Sequence, residues 1–246
     1  LTRVYVREPL AATGEIVLDG GASEHVVRVL RLRAGAALTL FDGHGGEYDA
    51  RVAAIGRGRV RVQVGAHRGD ERESPIPVTL IQALARGERM DLIVQKATEL
   101  GVSRIVPLEA ERSVVQLAAH ARARKVEHWR SVAASACEQC GRNRLPELAE
   151  PCTLEAALAL AAPAMTRLLL DPQAETSLAT RLERAGSGGI ALLVGPEGGL
   201  TDLEAKHAAL GGFLPCRLGP RVLRTETAAI AALAAIQTLA GDLGAR

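Results

Sequence analysis

Two stretches near the C-terminal end carry residue types and spacing suited to chemistry. Gly195-Pro196-Glu197-Gly198-Gly199 follows an unbroken apolar run, Ile190 to Val194, and Gly219-Pro220 follows Phe213 to Leu218 and leads into Arg224-Thr225-Glu226. Glycine turns leave backbone N–H and C=O groups open to a ligand. A phosphate cradle would add a lysine or arginine at the helix start. Here the first loop offers Glu197, and the second sets Glu226 beside Arg224. No G-x-x-x-x-G-K-[ST] occurs, and no G-x-G-x-x-G opens a helix after a strand. Carboxylates in these loops repel a polyphosphate and suit a ligand with a positive centre. That Glu197 and Glu226 only complement helix dipoles stays open as the alternative.

Other candidate chemistry is thinner. Cys137-x-x-Cys140 has the spacing of half a zinc site, but Cys152 and Cys216 form no second pair. Both cysteines read as packed helix residues, and no metal is expected. Glu138 and Arg142 are four apart, the spacing of a helical ion pair. No G-x-S-x-G or H-E-x-x-H occurs, and no histidine has an evident serine or cysteine partner.

The elements that must hold the two loops follow from pattern. Ile190 to Val194 reads as a strand buried on both faces. Thr201 with Glu204 is a capping box that opens a helix. Phe213 to Leu218 reads as a strand, and Thr225 opens an apolar last helix. Two strand-loop-helix units side by side place both loops at the carboxyl edge of one sheet, where open α/β folds bind ligands. Upstream, Val78 to Ala83 and Arg104 to Leu108 read as strands. Glu88 to Leu100 reads as a helix stopped by Gly101, and Ala119 to Cys140 as a long helix burying Val126, Trp129, Val132 or Ala133, and Ala136. Leu154 to Ala161 is a further helix, Arg167 to Leu170 a strand, and Gly186-Ser187-Gly188-Gly189 a turn. Strands alternating with helices indicate a parallel sheet covered on both faces.

Residues 1 to 67 read as short strands: Val4 to Val6, Ala37 to Phe41, Glu47 to Ile55 and Arg59 to Val64. Gly43-His44-Gly45-Gly46 reads as a hairpin turn, and one helix is capped by Ser23. Arg68 to Pro77 is charged and ends in two prolines, a linker with its boundary near Glu73. Arg57, Arg59 and Arg61 alternate with Gly58, Val60 and Val62, which puts the arginines on one strand face. A solvated face is favoured there over a comb against RNA.

The motifs Val194-Gly195-Pro196-Glu197-Gly198-Gly199-Leu200 and Leu218-Gly219-Pro220-Arg221-Val222-Leu223-Arg224-Thr225-Glu226-Thr227-Ala228 closely resemble the ribosomal RNA small subunit methyltransferase E family, of the SPOUT class. The resemblance extends to Gln95 to Val102, Ala136 to Arg144 and His25 to Arg31, and so runs along the whole chain. It implies S-adenosylmethionine-dependent methylation of N3 of a uridine in 16S rRNA. It implies that Leu170, Val194, Gly195, Pro196, Glu197, Gly198 and Gly199 enclose the cofactor with Leu218, Gly219, Val222, Leu223, Arg224, Thr225, Thr227 and Ala228. It implies a PUA-like β-barrel before an α/β domain with a trefoil knot, and a homodimer. General topology rules would call a knot very improbable; the resemblance is preferred.

Removing the N3 proton spreads charge onto O2 and O4 of the uracil, and a cation beside them lowers the barrier. Arg224 is expected in that role. Glu138 is a candidate base, and solvent is the other. Arg3, Arg28, Arg31, Arg33, Arg142 and Arg144 are the expected RNA contacts, and His25 is expected to be structural.

Net charge is only +2, and residues 1 to 72 hold all the excess, 11 arginines against 9 acidic residues. At 48% apolar and 24% charged, with no membrane-length run and no export signal, the chain is expected to be soluble and cytoplasmic with reduced thiols. The sequence therefore specifies an α/β protein: residues 1–72 as an RNA-binding barrel and 73–246 as a knotted, dimerising methyltransferase domain. A non-catalytic RNA-binding or ribosome-assembly protein of the same fold is the alternative. A nucleotide-binding enzyme is disfavoured by the missing phosphate motifs.

Overall fold

The computed structural model describes residues 2–11, 13–115, 117–183 and 188–244. Gly186 and Ser187 of the expected turn lie outside the described residues. The chain divides into two units, one of residues 1–73 with 134–145 and one of residues 74–133 with 146–246. The division expected from sequence, at 72 and 73, made the second domain one continuous run. The segment 134–145 instead belongs with the N-terminal unit.

In that unit β1 (Arg3–Tyr5), β2 (Gly14–Leu18), β3 (Ala37–Phe41), β4 (Glu47–Ile55) and β5 (Val60–Arg68) form one sheet in the order β1-β3-β4-β5-β2. Only β1 and β3 run parallel. Alternation does the sorting along β5: Val60, Val62 and Val64 are buried while Arg61 and Gln63 face out. The buried valines join Val4, Leu18, Leu40 and Val52 in a core that Val26 completes.

Two local expectations are corrected here. The first helix, α1 (Gly20–Glu24), has Asp19 at its cap position, and Ser23 is buried inside it rather than capping it. The Gly20-Gly21 pair lets the chain turn earlier than the apolar pattern indicates. α1 continues into a π-helical turn, His25–Val29, closed by the Leu30 N–H donating to the His25 carbonyl at 2.9 Å. Arg57 and Arg59 lie in the β4–β5 turn, which the Gly56 N–H closes on the Arg59 carbonyl at 2.9 Å. Arg61 alone is in the strand, paired with Glu15 at 3.1 Å, so no three-arginine strand face exists.

The second unit is a six-stranded parallel sheet, ordered β11-β9-β10-β6-β7-β8. Its strands are β6 (Val78–Ala83), β7 (Arg104–Leu108), β8 (Glu147–Leu148), β9 (Thr166–Leu170), β10 (Ile190–Val194) and β11 (Leu214–Cys216). Between them run α2 (Glu88–Glu99), α3 (Ala119–Cys140), α4 (Leu154–Leu160), α5 (Leu178–Glu183), α6 (Asp202–Leu210) and α7 (Thr225–Leu239). All five residues of β10 are buried. Ile190, Leu192 and Val194 enter one core with Met90, Trp129 and Leu233; Ala191 and Leu193 enter another with Leu154, Ala208 and Phe213. Period two thus supplies a separate core to each face of the sheet, as expected for parallel strands covered on both sides.

Strands of one direction send every following loop to the same edge. The loops after β6, β7, β9, β10 and β11 therefore share the carboxyl edge. Among the described residues, no helix is long and apolar enough to cross a membrane.

Candidate active site

At that edge a cavity of about 800 Å³ is lined by the loops after β7, β9, β10 and β11 and by the first turns of α6 and α7. This volume suits a small organic ligand. Leu170, Val194, Leu218 and Leu223 supply apolar wall, and Asp171, Glu197 and Asp202 supply carboxylates. Arg112, Arg217, Arg221 and Arg224 bring guanidinium groups.

The β10 loop is built as a turn, with the Gly199 N–H donating to the Pro196 carbonyl at 2.9 Å. Gly199 has φ +69°, a backbone that side-chain-bearing residues resist. The loop then feeds α6 through the capping box: the Glu204 N–H donates to Thr201 Oγ1 at 3.2 Å, and the Thr201 N–H to Glu204 Oε2 at 2.8 Å. Such a cap stabilises a helix by about 1 kcal/mol. From the β7 loop, Arg112 donates to the Gly198 and Leu200 carbonyls, each at 3.3 Å, and fixes the backbone from the side.

The β11 loop is tied to the same point. Thr225 Oγ1 donates to the Gly195 carbonyl at 2.9 Å and accepts from Gln82 Nε2 at 2.9 Å. One hydroxyl so joins the end of β6, the first loop and the start of α7. Among the described residues, the buried Gln82 Oε1 has no hydrogen-bond partner. Beside this junction Arg89 lies 2.8 Å from Glu197 and 3.7 Å from Glu226. A single guanidinium faces both carboxylates that the sequence raised as groups for a positive ligand. Glu226 Oε2 is buried without a partner.

Of the residues expected around a cofactor, Gly219 and Thr227 are not in the lining. Gly219 is the turn residue beyond β11, with φ +89°, and Thr227 is exposed on α7. The remaining residues of that set line the cavity, Arg224 at an exposed position.

The first unit holds the other expected residues. Glu138 Oε1 accepts the Tyr5 N–H at 2.9 Å, and Oε2 lies 3.7 Å from His25 Nδ1. Burial raises the Glu138 pKa, opposed by the Tyr5 hydrogen bond and the His25 and Arg3 charges. Arg3 and Arg142, expected at RNA, are only 3% and 4% exposed. Arg3 pairs with Glu47, donates to Asn143 Oδ1 at 2.6 Å and stacks over Phe41 at 4.7 Å. Arg142 is held by Glu73 at 2.6 Å. Both arginines are committed inside the fold, where they brace residues 134–145 against the strands. Arg28, Arg31, Arg33 and Arg144 are exposed. Arg31 is the one non-glycine described residue at positive φ, +51°. Cys137 is fully buried, and burial pushes its thiol up to about 12.

Comparison with known proteins finds two consecutive domains. Residues 72–237 match the RNA methyltransferase domain and residues 18–65 the RNA methyltransferase PUA domain. The ribosomal RNA small subunit methyltransferase E of Buchnera aphidicola is 31% identical over 243 residues, covering 99% of this chain and 98% of its own. That of Bacillus subtilis is 32% identical over 254 residues, 98% of this chain and 97% of its own. The chain belongs to the ribosomal RNA small subunit methyltransferase E family. The Neisseria gonorrhoeae member of the methyltransferase E family, solved bound to S-adenosyl methionine, superposes with a TM-score of 0.88 at 37% identity, covering 99% of both chains. A Legionella pneumophila protein solved with its bound cofactor SAM gives 0.92 at 38% identity, covering 98% of this chain and 99% of that one.

In this methyltransferase E chain the sequence reading missed Arg112, Asp171, Pro172, Gln173 and Arg217 among the lining residues. The signal was available for several. Asp171 and Pro172 directly follow the β9 run, and Arg112 follows β7, so the carboxyl-edge rule applied to every strand finds them.

Proposed function

We propose that this protein transfers the methyl group of S-adenosylmethionine to N3 of a uridine in 16S rRNA. The observation that carries the reading is the cavity at the joined β10 and β11 loops, with carboxylates in its wall and Arg224 at its exposed edge. S-adenosylmethionine, when bound, supplies a methyl group on a positively charged sulfur. The donor set fits that ligand. Asp171, Glu197 and Asp202 favour positive charge, the leucines and Val194 suit an adenine ring, and the glycine loop presents backbone groups for its edge. Methyl transfer relies on in-line positioning more than on covalent help. Loops pinned by Thr225, Arg112 and the capping box are suited to it.

Arg224 is exposed, and none of the described residues places a carboxylate within ion-pair distance of it. Its guanidinium is free to face the uracil oxygens as the N3 proton leaves, an effect on the order of 10²- to 10³-fold in rate. Glu138 is engaged by Tyr5 and His25, so solvent takes the proton. Arg28, Arg31, Arg33 and Arg144 of the first unit contact the RNA, and Arg3 and Arg142 hold that surface in shape.

The chain also forms a trefoil knot and a homodimer in this reading. Support for the knot is the return of Thr225 onto Gly195 across thirty positions of sequence. Support for the dimer is α7, whose Thr227 and Leu239 are exposed and whose Ile230, Ala231 and Ala234 are half-covered beside a fully buried face. The function places the protein where small-subunit RNA resides, in the cytoplasm. Calorimetric titration with S-adenosylmethionine tests the reading. Saturable one-site binding that is lost in a Gly198→Trp variant agrees with it; no binding by the intact protein favours a purely RNA-binding role.

A further inference from the structure

The arginines of the second unit sort into two groups. Most spend their N–H donors inside the protein: Arg89 on Glu197 and Glu226, Arg104 on Glu147, Arg122 on Glu109, Arg112 and Arg217 on backbone carbonyls. Among the described residues Arg86, Arg124, Arg221 and Arg224 do not; Arg124 is on α3, and the other three follow β6 and β11. All three are exposed, and among the described residues no carboxylate lies within 4.0 Å of any of them.

These three follow strands of one parallel sheet and so lie toward its carboxyl edge. Arg86 is in the loop after β6, four residues beyond Gln82, and Gln82 bonds Thr225, the neighbour of Arg224. Arg89, one turn further along, contacts Glu226 at the start of α7. Arg221 is in the loop after β11 and lines the cavity. Among the carboxylates nearby, Glu197 and Glu226 face Arg89, Glu204 accepts from the Thr201 and Glu111 N–H groups, and Asp171 accepts from the Gln173 N–H. Arg86, Arg221 and Arg224 thus keep their N–H donors for a ligand.

We propose that Arg86 and Arg221, beside Arg224, form a phosphate-gripping rim that holds the RNA backbone flanking the target nucleotide. This rests on the reading of the cavity as a methyl-transfer site. A phosphodiester accepts two parallel N–H donors from a guanidinium. The rim is a second RNA contact, on the catalytic unit itself and separate from the arginines of the N-terminal unit. It brings the strand to the cavity mouth and leaves base chemistry to Arg224.

Counterion release gives the test. Each lost contact to single-stranded phosphate reduces the slope of log affinity against log salt by about 0.7. Full-length protein without cofactor is titrated with a short fluorescent oligouridylate from about 50 to 200 mM salt. Arg86→Ala and Arg221→Ala are each expected to make the slope shallower by about 0.7, and the double variant by about 1.4. Arg86→Lys restores most of it, and Arg104→Ala, which removes an arginine already paired, changes nothing. Thermal midpoints verify that the variants are folded. Unchanged slopes, or wild-type protein without salt-dependent binding, overturn the proposal. So does an Arg221→Ala variant whose only loss is S-adenosylmethionine affinity. Failure of the methyl-transfer reading would show separately, as wild-type protein that binds the oligonucleotide but no S-adenosylmethionine.

Discussion

Thr225 Oγ1 donates to the Gly195 carbonyl at 2.9 Å while accepting from Gln82 at the same distance. Thirty positions apart in sequence, the two loops around the cavity are one hydrogen-bonded structure. Thr225 and Gln82 are buried, so the Gln82 amide has no water to fall back on.

Thr225→Val keeps the shape and removes both hydrogen bonds. Each unsatisfied buried group costs about 1–3 kcal/mol. The variant is expected to melt several degrees lower and to bind S-adenosylmethionine at least several-fold more weakly, as read by thermal denaturation and calorimetry. Normal affinity at reduced stability would mean that the bond supports the fold without shaping the pocket.

Arg224→Ala is expected to lower turnover about 10²- to 10³-fold while changing cofactor affinity little. Single-turnover methyl transfer and calorimetry on the same preparation separate the two. Equal losses would assign Arg224 to cofactor binding.

Arg89→Ala leaves Glu197 and Glu226 unbalanced at the cavity edge. RNA affinity is expected to fall several-fold through repulsion. A second change, Glu197→Gln, is expected to restore part of it. Electrophoretic shift of a labelled rRNA fragment provides the readout.

Arg3→Met removes one partner of a buried ion pair and is expected to cost about 3–5 kcal/mol. Arg28→Ala changes an exposed side chain and is expected to weaken RNA binding with no more than about 0.5 kcal/mol of stability lost. Urea denaturation with RNA titration tells a brace from a contact.

Burial pushes the thiols of Cys137 and Cys216 up to about 12 from an ordinary value of 9.0. Both therefore stay neutral at pH 8 and are expected to resist a thiol reagent until the protein unfolds. Above pH 9 the unfolded chain releases these protons and the folded chain retains them. Stability should thus decline as pH rises from about 9 to about 12. Timed labelling followed by peptide mapping, with melting curves across that range, checks both statements.

Much of the second unit was legible because period and punctuation agree. Val78 to Ala83, Arg104 to Leu108 and Ile190 to Val194 are bounded apolar runs, and the Thr201–Glu204 pair marks a helix start by its own chemistry. Phe213 to Leu218 shortened to Leu214–Cys216 because β11 is an edge strand with Pro215 in its middle. The arginine alternation at residues 57–61 imitated a strand, but Gly56 and Gly58 turn the chain there. That residues 134–145 join the first unit depends on Arg3 reaching Asn143 and Glu138 reaching Tyr5, contacts across more than 130 positions that no local pattern encodes. The glycine loops announced the cavity, while Asp171 and Arg112 entered it only through strand order.

The most direct test of the central claim is mass-spectrometric mapping of the product. Small-subunit RNA lacking the modification is incubated with the protein and methyl-labelled S-adenosylmethionine, then digested to nucleosides. One labelled product, N3-methyluridine, is expected at a single position, formed about 10²- to 10³-fold more slowly with Arg224→Ala. Label on a ribose oxygen or a base carbon, or no transfer although the cofactor binds, would contradict it.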